Sequence, residues 1–413
     1  MSEPQTPVRS ESVSARASMV AIDSSKIRRK NSVHSVGNFI IDKTLTNSLS
    51  SKVCLARHKK TKKPMVLKFI RLEGQNEKRL ASYRNEVNNL ALLHNPHIAR
   101  LYDAVQTDKY AMLITEYAGR GDMLNYSREQ GRMNEDEARR LFRQMISGVD
   151  YLHQNCIVHR NLKLENIMLD LDRNVKIIGF GHSSTFEWGK LLDTYCGSPF
   201  TCSPEMIDGV EYTGPEVDIW SLGVVLYYML TGKTPFQGEM LQDVYTKILK
   251  AEYDEPDFLS QKVWDLFAKI FVVDRTKRIT MQEITEHPWI SWNCDKPIDN
   301  YLLPRPAAVL KPNEVTLKNM IAFGYSAEET RESLTQSYKA STPAVCIYHL
   351  MEESRRRSAA KTEKPTAEKP TAEKPQTEGE TKEKRGSQVV KVWQAIKHPA
   401  SKVKQMFNKK VEA

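Results

Sequence analysis

The sequence predicts an α+β fold of two lobes: a small antiparallel β lobe with one helix, then a large, mainly helical lobe. Short β-branched runs between charged turns, KVCLARH at 52–58 and MVLKFIRL at 65–72, are typical of antiparallel strands. After about residue 120, apolar residues recur mostly at spacings of three and four, which indicates amphipathic helices. The stretch 135–153 places seven apolar residues on one face: Ala138, Leu141, Phe142, Met145, Ile146, Val149 and Leu152.

The remaining elements of the small lobe follow in chain order. We predict a helix around residues 83–93 and a strand pair at 98–105 and 110–117. Residues 1–37, before the first strand, are rich in Ser and Arg and lack apolar periodicity. We therefore expect this N-terminal segment to be disordered.

Changes in composition predict the organisation of the rest of the chain. The globular unit is predicted at 38–291, followed by a Pro-rich connector at 292–312 and a compact helical stretch at 313–353. A repeat of Thr, Glu, Lys and Pro cannot bury a core, so we expect a disordered linker at 354–386. A basic tail with spaced apolar residues occupies 387–413.

The composition favours a globular protein of the cytoplasm. The 413 residues are 40% hydrophobic, and no stretch approaches the roughly 18 apolar residues of a membrane span. The N-terminus lacks the apolar core of a secretory signal. Six cysteines occur without a CxxC pair or a His spacing suited to zinc, which indicates reduced thiols and predicts no metal site.

The net charge of +10 limits the classes of partner. Basic residues concentrate in the tails without interleaved aromatic platforms, so we expect no nucleic-acid partner. In the tail at 387–413, apolar residues such as Trp393 stand among lysines. Two interpretations stay open: an interfacial helix pair on anionic membrane, interrupted at Pro399, and a solvated basic tail.

Seven motifs stand in a fixed order across the two lobes. They are Lys68 in MVLKF, Glu86 on the next helix, HRNLKLENIMLD at 159–170, GFG at 179–181, SPE at 203–205, DIWSLG at 218–223 and Arg278 in DRTKRIT. Together they resemble Ser/Thr protein kinases, in which H-R-D-L, D-F-G and A-P-E occupy the corresponding places. The resemblance implies the two-lobed protein-kinase fold.

Several longer segments narrow the resemblance to one branch of the kinases. NCIVHRNLKLENIM, LLDTYCGSP and VVDRTKRIT are most similar to the fungal Kin1/Kin2 and animal PAR-1/microtubule-affinity-regulating kinases of the AMP-activated-kinase-like branch. This implies a role in cell polarity and a location that includes the cell cortex. The stretch 313–353, with its Gly324-Tyr325 turn, resembles the ubiquitin-associated-like three-helix module that follows the kinase domain in that branch.

Two residues of the catalytic centre differ from the resembling family. Asn161 stands where the catalytic-loop aspartate accepts the substrate proton, and a neutral amide is no useful base. Gly179 stands where the D-F-G aspartate holds Mg²⁺, and glycine offers no ligand. Losing a base or a charge-stabilising group commonly costs about 10²–10⁴ in rate.

The nucleotide-binding positions differ as well. By alignment, Thr46, Ser48 and Ser51 occupy the three glycine positions of the phosphate loop, where side chains obstruct the close approach that glycine permits. Val66 replaces the alanine that packs over adenine. We therefore expect neither ATP nor Mg²⁺ as a cofactor, unless the chain is a weak kinase.

Scaffold residues of the family are retained. The resemblance implies an ion pair, a stack of apolar residues that couples the lobes, and a buried pair that braces the large lobe. In that order the residues are Lys68 with Glu86; Leu90, Leu101, His159 and Phe180; and Glu205 with Arg278.

Two other retained residues have two interpretations. Lys163 and Asn166 of the catalytic loop either keep a residual nucleotide contact or make structural hydrogen bonds, and we favour the second.

Candidate regulatory residues are also present. Thr194 occupies the activation-loop position that is phosphorylated in the resembling family, and Arg160 could bind that phosphate in a bidentate contact. RRKNSV places basic residues before Ser32, a context that suits basophilic kinases.

Two functions of different classes are consistent with these residues. The first is a pseudokinase that binds or allosterically regulates signalling proteins, including an active kinase relative. The second is a weak or atypical ATP-dependent Ser/Thr kinase. Because several chemical positions are changed together while the scaffold is retained, we favour the first.

Overall fold

The computed structural model of the chain describes residues 35–48, 51–72, 74, 77–106, 110–306, 308–335 and 342–362. The described strands are β1 (Ser35–Val36), β2 (Phe39–Asn47), β3 (Ser51–His58), β4 (Pro64–Arg71), β5 (Leu101–Gln106), β6 (Tyr110–Glu116), β7 (Gly121–Asp122), β8 (Ile157–Val158), β9 (Ile167–Leu169), β10 (Val175–Ile177) and β11 (Ser184–Thr185). The described α-helices are α1 (Glu77–Leu92), α2 (Met123–Gln130), α3 (Glu135–Gln154), α4 (Pro204–Ile207), α5 (Pro215–Thr231), α6 (Leu241–Lys250), α7 (Gln261–Ile270), α8 (Met281–Glu286), α9 (Pro288–Ser291), α10 (Glu314–Met320), α11 (Ala327–Thr335) and α12 (Pro343–Thr362). This order confirms the predicted α+β fold with its small β lobe and large helical lobe.

The small lobe is a six-stranded antiparallel sheet with one helix. Its strand order is β1-β2-β3-β4-β6-β5, so the three long strands lie side by side. Helix α1 begins at Glu77, before the predicted start at residue 83, and an acidic residue in a first turn suits the helix dipole. Tyr83, Val87 and Leu90 of α1 are buried in the main core.

Helix α3 is the central helix of the large lobe and matches its predicted pattern. The side chain of Asn134 accepts a hydrogen bond from the backbone N–H of Glu137 at 2.8 Å and caps the N-terminus of α3. Phe142, Met145 and Val149 of the predicted apolar face are fully buried. Helix α5 is buried on nearly all sides, which explains the continuous apolar run after Asp218.

The Pro-rich connector runs along the large lobe. The hydroxyl of Ser147 on α3 donates to the carbonyl of Asp299 at 2.5 Å, and the amide of Asn95 donates to the carbonyl of Asn300 at 3.0 Å. Three helices follow, α10, α11 and α12, and the backbone N–H of Asn313 donates to the Tyr348 hydroxyl at 2.8 Å. Their identity as a ubiquitin-associated-like module stays a prediction.

Two predicted disordered segments extend into ordered structure. The segment 1–37 includes β1, because Ser35 and Val36 pair with Ile40 and Phe39 across a tight turn. The linker predicted at 354–386 begins inside α12, which continues to Thr362. Arg and Ala are good helix formers, and the Arg355 guanidinium donates to the Glu352 carboxylate one turn earlier at 2.8 Å.

Within the described ranges, no helix is both long and apolar enough to cross a membrane.

Candidate functional site

The ion pair that the resemblance implies is formed between the sheet and helix α1. The Lys68 ammonium on β4 lies 2.6 Å from the Glu86 carboxylate on α1, and the two Glu86 oxygens both accept hydrogen bonds from it. Glu86 is only 8% exposed, so the ion pair lies in a partly desolvated environment. The pair fixes helix α1 against strand β4.

The four residues that were predicted to form a stack between the lobes are buried. Leu90, Leu101 and Phe180 are buried in one core cluster that extends across both lobes. The His159 imidazole packs edge-on against Phe180, with ring centroids 4.9 Å apart. Burial lowers the pKa of His159, which favours the neutral ring in this apolar stack. Leu90, Leu101 and Phe180 thus belong to the main core, and His159 packs directly on Phe180.

The loop at 159–166 is anchored by Asp218, a residue to which the sequence analysis gave no role. The Asp218 carboxylate, fully buried, accepts hydrogen bonds from the backbone N–H groups of His159 and Arg160, each at 2.8 Å. His153 contributes a third contact at 3.0 Å. Burial opposes ionisation of Asp218, but these hydrogen bonds and the nearby imidazoles outweigh it and lower the pKa of the carboxyl. Asp218 is the first residue of the DIWSLG motif, and this motif is the feature of the sequence that could have indicated its role.

Asn161, Asn166 and Gly179 form the centre of the loop. The Asn166 side-chain amide donates to the Asn161 carbonyl at 2.8 Å, and the Asn166 carbonyl accepts the backbone N–H of Ile178 at 2.9 Å. Gly179 has φ 87°, and a Cβ there would lie 2.7 Å from the Asn166 side chain. The Asn166 amide therefore packs directly over the glycine and occupies the space where a larger residue would begin.

These residues do not fit the Mg²⁺ ion that the kinase fold implies. Gly179 supplies no oxygen from a side chain, and hard divalent cations prefer several oxygen ligands, carboxylates above all. The Asn166 side chain offers a single amide oxygen, a weaker ligand for such a cation than the carboxylate that position 179 lacks, while its amide N–H donates to the loop backbone. No cluster of three or more His, Cys, Asp or Glu suited to a metal occurs among the residues that the structure describes.

Two serines close the turn between β2 and β3. The Ser48 hydroxyl accepts the backbone N–H of Ser51 at 3.1 Å and donates to the Ser51 carbonyl at 3.0 Å, while the Ser48 N–H donates to the same carbonyl at 2.8 Å. A phosphate loop works through backbone N–H groups that are free to point at the ligand. The Ser51 N–H is instead satisfied by a serine side chain.

Two more predicted nucleotide positions lie on the same sheet. Thr46 pairs with Val53 beside a bulge in β2. Val66 is half-buried on β4, opposite Leu55 on β3 and Thr115 on β6. Lys163 lies 3.6 Å from the Glu165 carboxylate, within its own loop.

The predicted regulatory threonine lies close to the arginine of the loop. Thr194 is exposed, and its carbonyl accepts the Tyr212 hydroxyl at 2.8 Å. The Arg160 guanidinium donates to the same Tyr212 oxygen at 3.3 Å and to the His182 carbonyl at 2.8 Å. Tyr212 therefore bridges the two residues that were predicted to act together.

The structure also brings together the predicted brace of the large lobe. Arg278 makes two parallel hydrogen bonds to the Glu205 carboxylate, at 2.7 and 2.8 Å, and both side chains are almost completely buried. The same guanidinium donates to the Glu216 carbonyl at 2.9 Å and lies over the Trp220 ring, 5.0 Å from its centroid.

Two predicted sites lie outside the described residues. They are Ser32 and the basic tail at 387–413. The phosphorylation of Ser32 and the membrane contact of the tail stay predictions.

Comparisons with known proteins agree with this architecture. A family model described as "Protein kinase domain" matches residues 41–290. The chain is 38% identical over 333 residues to "Serine/threonine protein kinase OSK3" of Oryza sativa subsp. indica, which covers 78% of this chain and 63% of that protein. "Serine/threonine protein kinase OSK4" of Oryza sativa subsp. japonica has the same identity and coverage.

The chain spans 63% of the length of these curated relatives. The two-lobed fold, the ordered motifs and the matched domain lead to one conclusion. This chain belongs to the protein kinase family.

Proposed function

We propose that the protein is a pseudokinase: a kinase-fold protein that binds or allosterically regulates signalling proteins and does not transfer phosphate. The observation that carries this proposal is the Asn161–Asn166–Gly179 centre. The base position holds an amide, the metal-ligand position holds a glycine, and the Asn166 side chain lies 2.7 Å from where a Cβ would stand. Phosphoryl transfer depends on positioning and on charge stabilisation by metal ions, which this centre does not supply.

The retained scaffold supports a binding role. Lys68–Glu86, the His159–Phe180 stack and Glu205–Arg278 preserve the overall geometry of both lobes without contributing to transfer by themselves. A kinase-shaped surface can therefore be presented to partners in a stable form. Function cannot be inferred from the fold alone, so the argument depends on this contrast between retained scaffold and changed chemistry.

The resemblance to polarity kinases suggests the class of partner. The segments similar to polarity kinases of the AMP-activated-kinase-like branch favour signalling proteins of the cytoplasm and cell cortex, including an active relative that shares those partners. A binding assay with the isolated kinase domain of such a relative tests this: the proposal requires a complex, and failure to bind excludes this class of partner.

A weak ATP-dependent Ser/Thr kinase is the second candidate. The observation that favours it is the intact Lys68–Glu86 pair at 2.6 Å, an arrangement that active kinases need. Its relatives are also named as Ser/Thr kinases.

Thermal melting with nucleotide separates the two candidates. A ligand at 100 times its dissociation constant stabilises the folded state by about 2.7 kcal/mol, which a melt detects readily. For the pseudokinase we expect millimolar ATP with Mg²⁺ to leave the melting temperature within experimental error, with the Lys68→Met variant as control. A clear Mg²⁺-dependent rise that the control lacks would favour the weak kinase.

A further inference from the structure

Two cysteine thiols meet where helix α12 packs on the large lobe. The Sγ atoms of Cys156 and Cys346 lie 3.5 Å apart, although the residues are 190 positions apart in the chain. Each residue is only 2% exposed. A disulfide has an S–S distance of about 2.05 Å, so a modest movement of the two side chains would bring the sulfurs to bonding distance.

A positive charge lies beside both sulfurs. Arg305 of the connector donates to the Asn155 side chain at 2.6 Å and to the Glu353 carboxylate at 3.3 Å, which places its guanidinium beside the thiols. The charge of Arg305 favours the thiolate form of each cysteine, and the thiolate is the nucleophile. The hydrogen bond between the two sulfurs can run in either direction, so either cysteine can supply the attacking sulfur.

The pair connects α12 to the segment that leads into the catalytic loop. Cys156 directly precedes β8, and its carbonyl accepts the backbone N–H of Phe186 at 2.9 Å. Cys156, Val158, Phe186 and Cys346 form one small buried apolar cluster. A covalent bond here would therefore fix α12 against the base of the catalytic loop.

We propose that Cys156 and Cys346 are a reversible oxidation site, at which hydrogen peroxide converts the two thiols to a disulfide that locks α12 to the large lobe. The thiolate of one cysteine attacks one peroxide oxygen, the O–O bond breaks, and hydroxide leaves and takes up a proton to form water. The sulfur of the other cysteine then attacks this sulfenic acid, the S–S bond forms, and the S–O bond breaks. Hydroxide leaves with the proton of the attacking thiol as a second water.

The oxidation balances in electrons and atoms, and it restrains α12. The two thiols lose two electrons and two protons, one peroxide becomes two waters, and a small dithiol reverses the change. Because both sulfurs are buried, the oxidant reaches them when α12 opens locally. The oxidised chain therefore holds α12 against the large lobe.

Peptide mapping of the full chain tests the chemistry directly. The protein is treated with hydrogen peroxide, blocked with N-ethylmaleimide and digested without reduction. We expect a linked peptide pair containing Cys156 and Cys346 that lacks two hydrogens and disappears with dithiothreitol. The pair should be absent in Cys156→Ala and Cys346→Ala but present in Cys54→Ala, which removes another buried cysteine. No linked pair in the oxidised wild type, or Cys346 linked to a different cysteine, would overturn the proposal.

A variant that can be cleaved before α12 tests whether the disulfide tethers this helix to the rest of the chain. A recognition sequence for a specific protease replaces residues 336–341, so that cleavage separates α12 from the rest of the backbone. After oxidation and cleavage, the two fragments should stay together on a denaturing gel without reductant and separate when reductant is added. Separation of the oxidised fragments without reductant would show that no such tether forms.

Discussion

At the residue scale, the centre of the cleft is a hydrogen-bonded structural unit. Asn166 connects the Asn161 carbonyl to the segment that contains Gly179, and its amide fills the space over the glycine. In an active kinase these positions orient the nucleophile and hold the metal. Here the Asn166 amide N–H donates to the Asn161 carbonyl, and the backbone carbonyl of Asn166 accepts the N–H of Ile178. This supports structural hydrogen bonding as the role of Asn166.

Restoring both acidic residues should not restore transfer. In the Asn161→Asp, Gly179→Asp double variant, the new Cβ at 179 would stand 2.7 Å from the Asn166 side chain, so Asn166 must move. Ser48 and Ser51 would still close the phosphate loop. We expect phosphorylation of a basic peptide to stay about 10² or more below that of an active relative. A radiolabelled-ATP assay measures it, with Lys68→Met in the same background as control. Robust activity in the double variant would mean that the loop is far less important than its geometry suggests.

The brace between Arg278 and Glu205 should contribute strongly to stability. Arg278→Ala leaves the Glu205 carboxylate buried without its partner, and breaking such a pair typically costs about 3–5 kcal/mol. Arg331 makes an ion pair of the same length, 2.7 Å, with Glu314, but both side chains are about half exposed or more. Arg331→Ala should therefore cost far less stability than Arg278→Ala. Urea unfolding of the two variants gives both values, and equal losses would contradict this account.

At the element scale, helix α12 carries a buried histidine whose ionisation opposes folding. Burial, and then the positive charges of Arg305 and Arg356, lower the pKa of His349 from 6.5 to about 4, while Glu352 acts in the opposite direction. As the pH falls below 6.5, His349 becomes protonated in the unfolded chain but stays neutral in the folded chain. Above pH 6.5 this residue therefore does not reduce the free energy of unfolding. Between pH 6.5 and about 4 it lowers the free energy of unfolding progressively, and below about 4 it lowers it no further.

Replacing His349 should flatten this dependence. The free energy of unfolding of wild type, measured in urea between pH 7 and pH 4, should fall more steeply than that of His349→Gln. A residual slope should persist, because burial also lowers the pKa of His97 and His159. A melt at pH 7 shows first that the variant folds. Identical slopes in the two proteins would show that His349 is not held neutral in the folded state.

The elements with a clear period were predictable from the sequence. Helix α3 has an uninterrupted apolar face and a cap at Asn134, and β3 and β4 are short β-branched runs bounded by charged turns. The end of α12 was missed because its last turns are charged, so no apolar face signals their helical structure. The helix is stabilised there by local contacts such as Arg355 with Glu352.

The candidate site was predictable to the extent that it depends on ordered motifs. Lys68 and Glu86 were expected to meet, and the structure places them 2.6 Å apart. The anchoring role of Asp218 depends on the three-dimensional path of the loop, which residue types do not show. The contact between Cys156 and Cys346 could not be predicted, because nothing in their spacing indicates that the connector brings α12 back onto the large lobe.

At the scale of the whole molecule, the residues of the scaffold match the kinase family, whereas the residues at the predicted nucleotide and metal positions differ from it. The contacts that stabilise the scaffold follow the pattern of the kinase family: the ion pair on α1 within the small lobe, the packing around Phe180, and the brace at Arg278 within the large lobe. We infer that the positions corresponding to the phosphate and metal sites, Thr46, Ser48, Ser51 and Gly179, do not suit those ligands. A stable kinase-like scaffold of this kind suits the proposed binding or regulatory role.

Phosphotransfer by the full-length chain tests the central claim most directly. The purified protein is incubated with radiolabelled ATP, Mg²⁺ and a basic peptide, beside the Lys68→Met variant, which cannot form the pair with Glu86. The account predicts that wild type and variant incorporate the same background amount of phosphate. Mg²⁺-dependent incorporation by the wild type that is lost in Lys68→Met would contradict it and identify the chain as an active kinase.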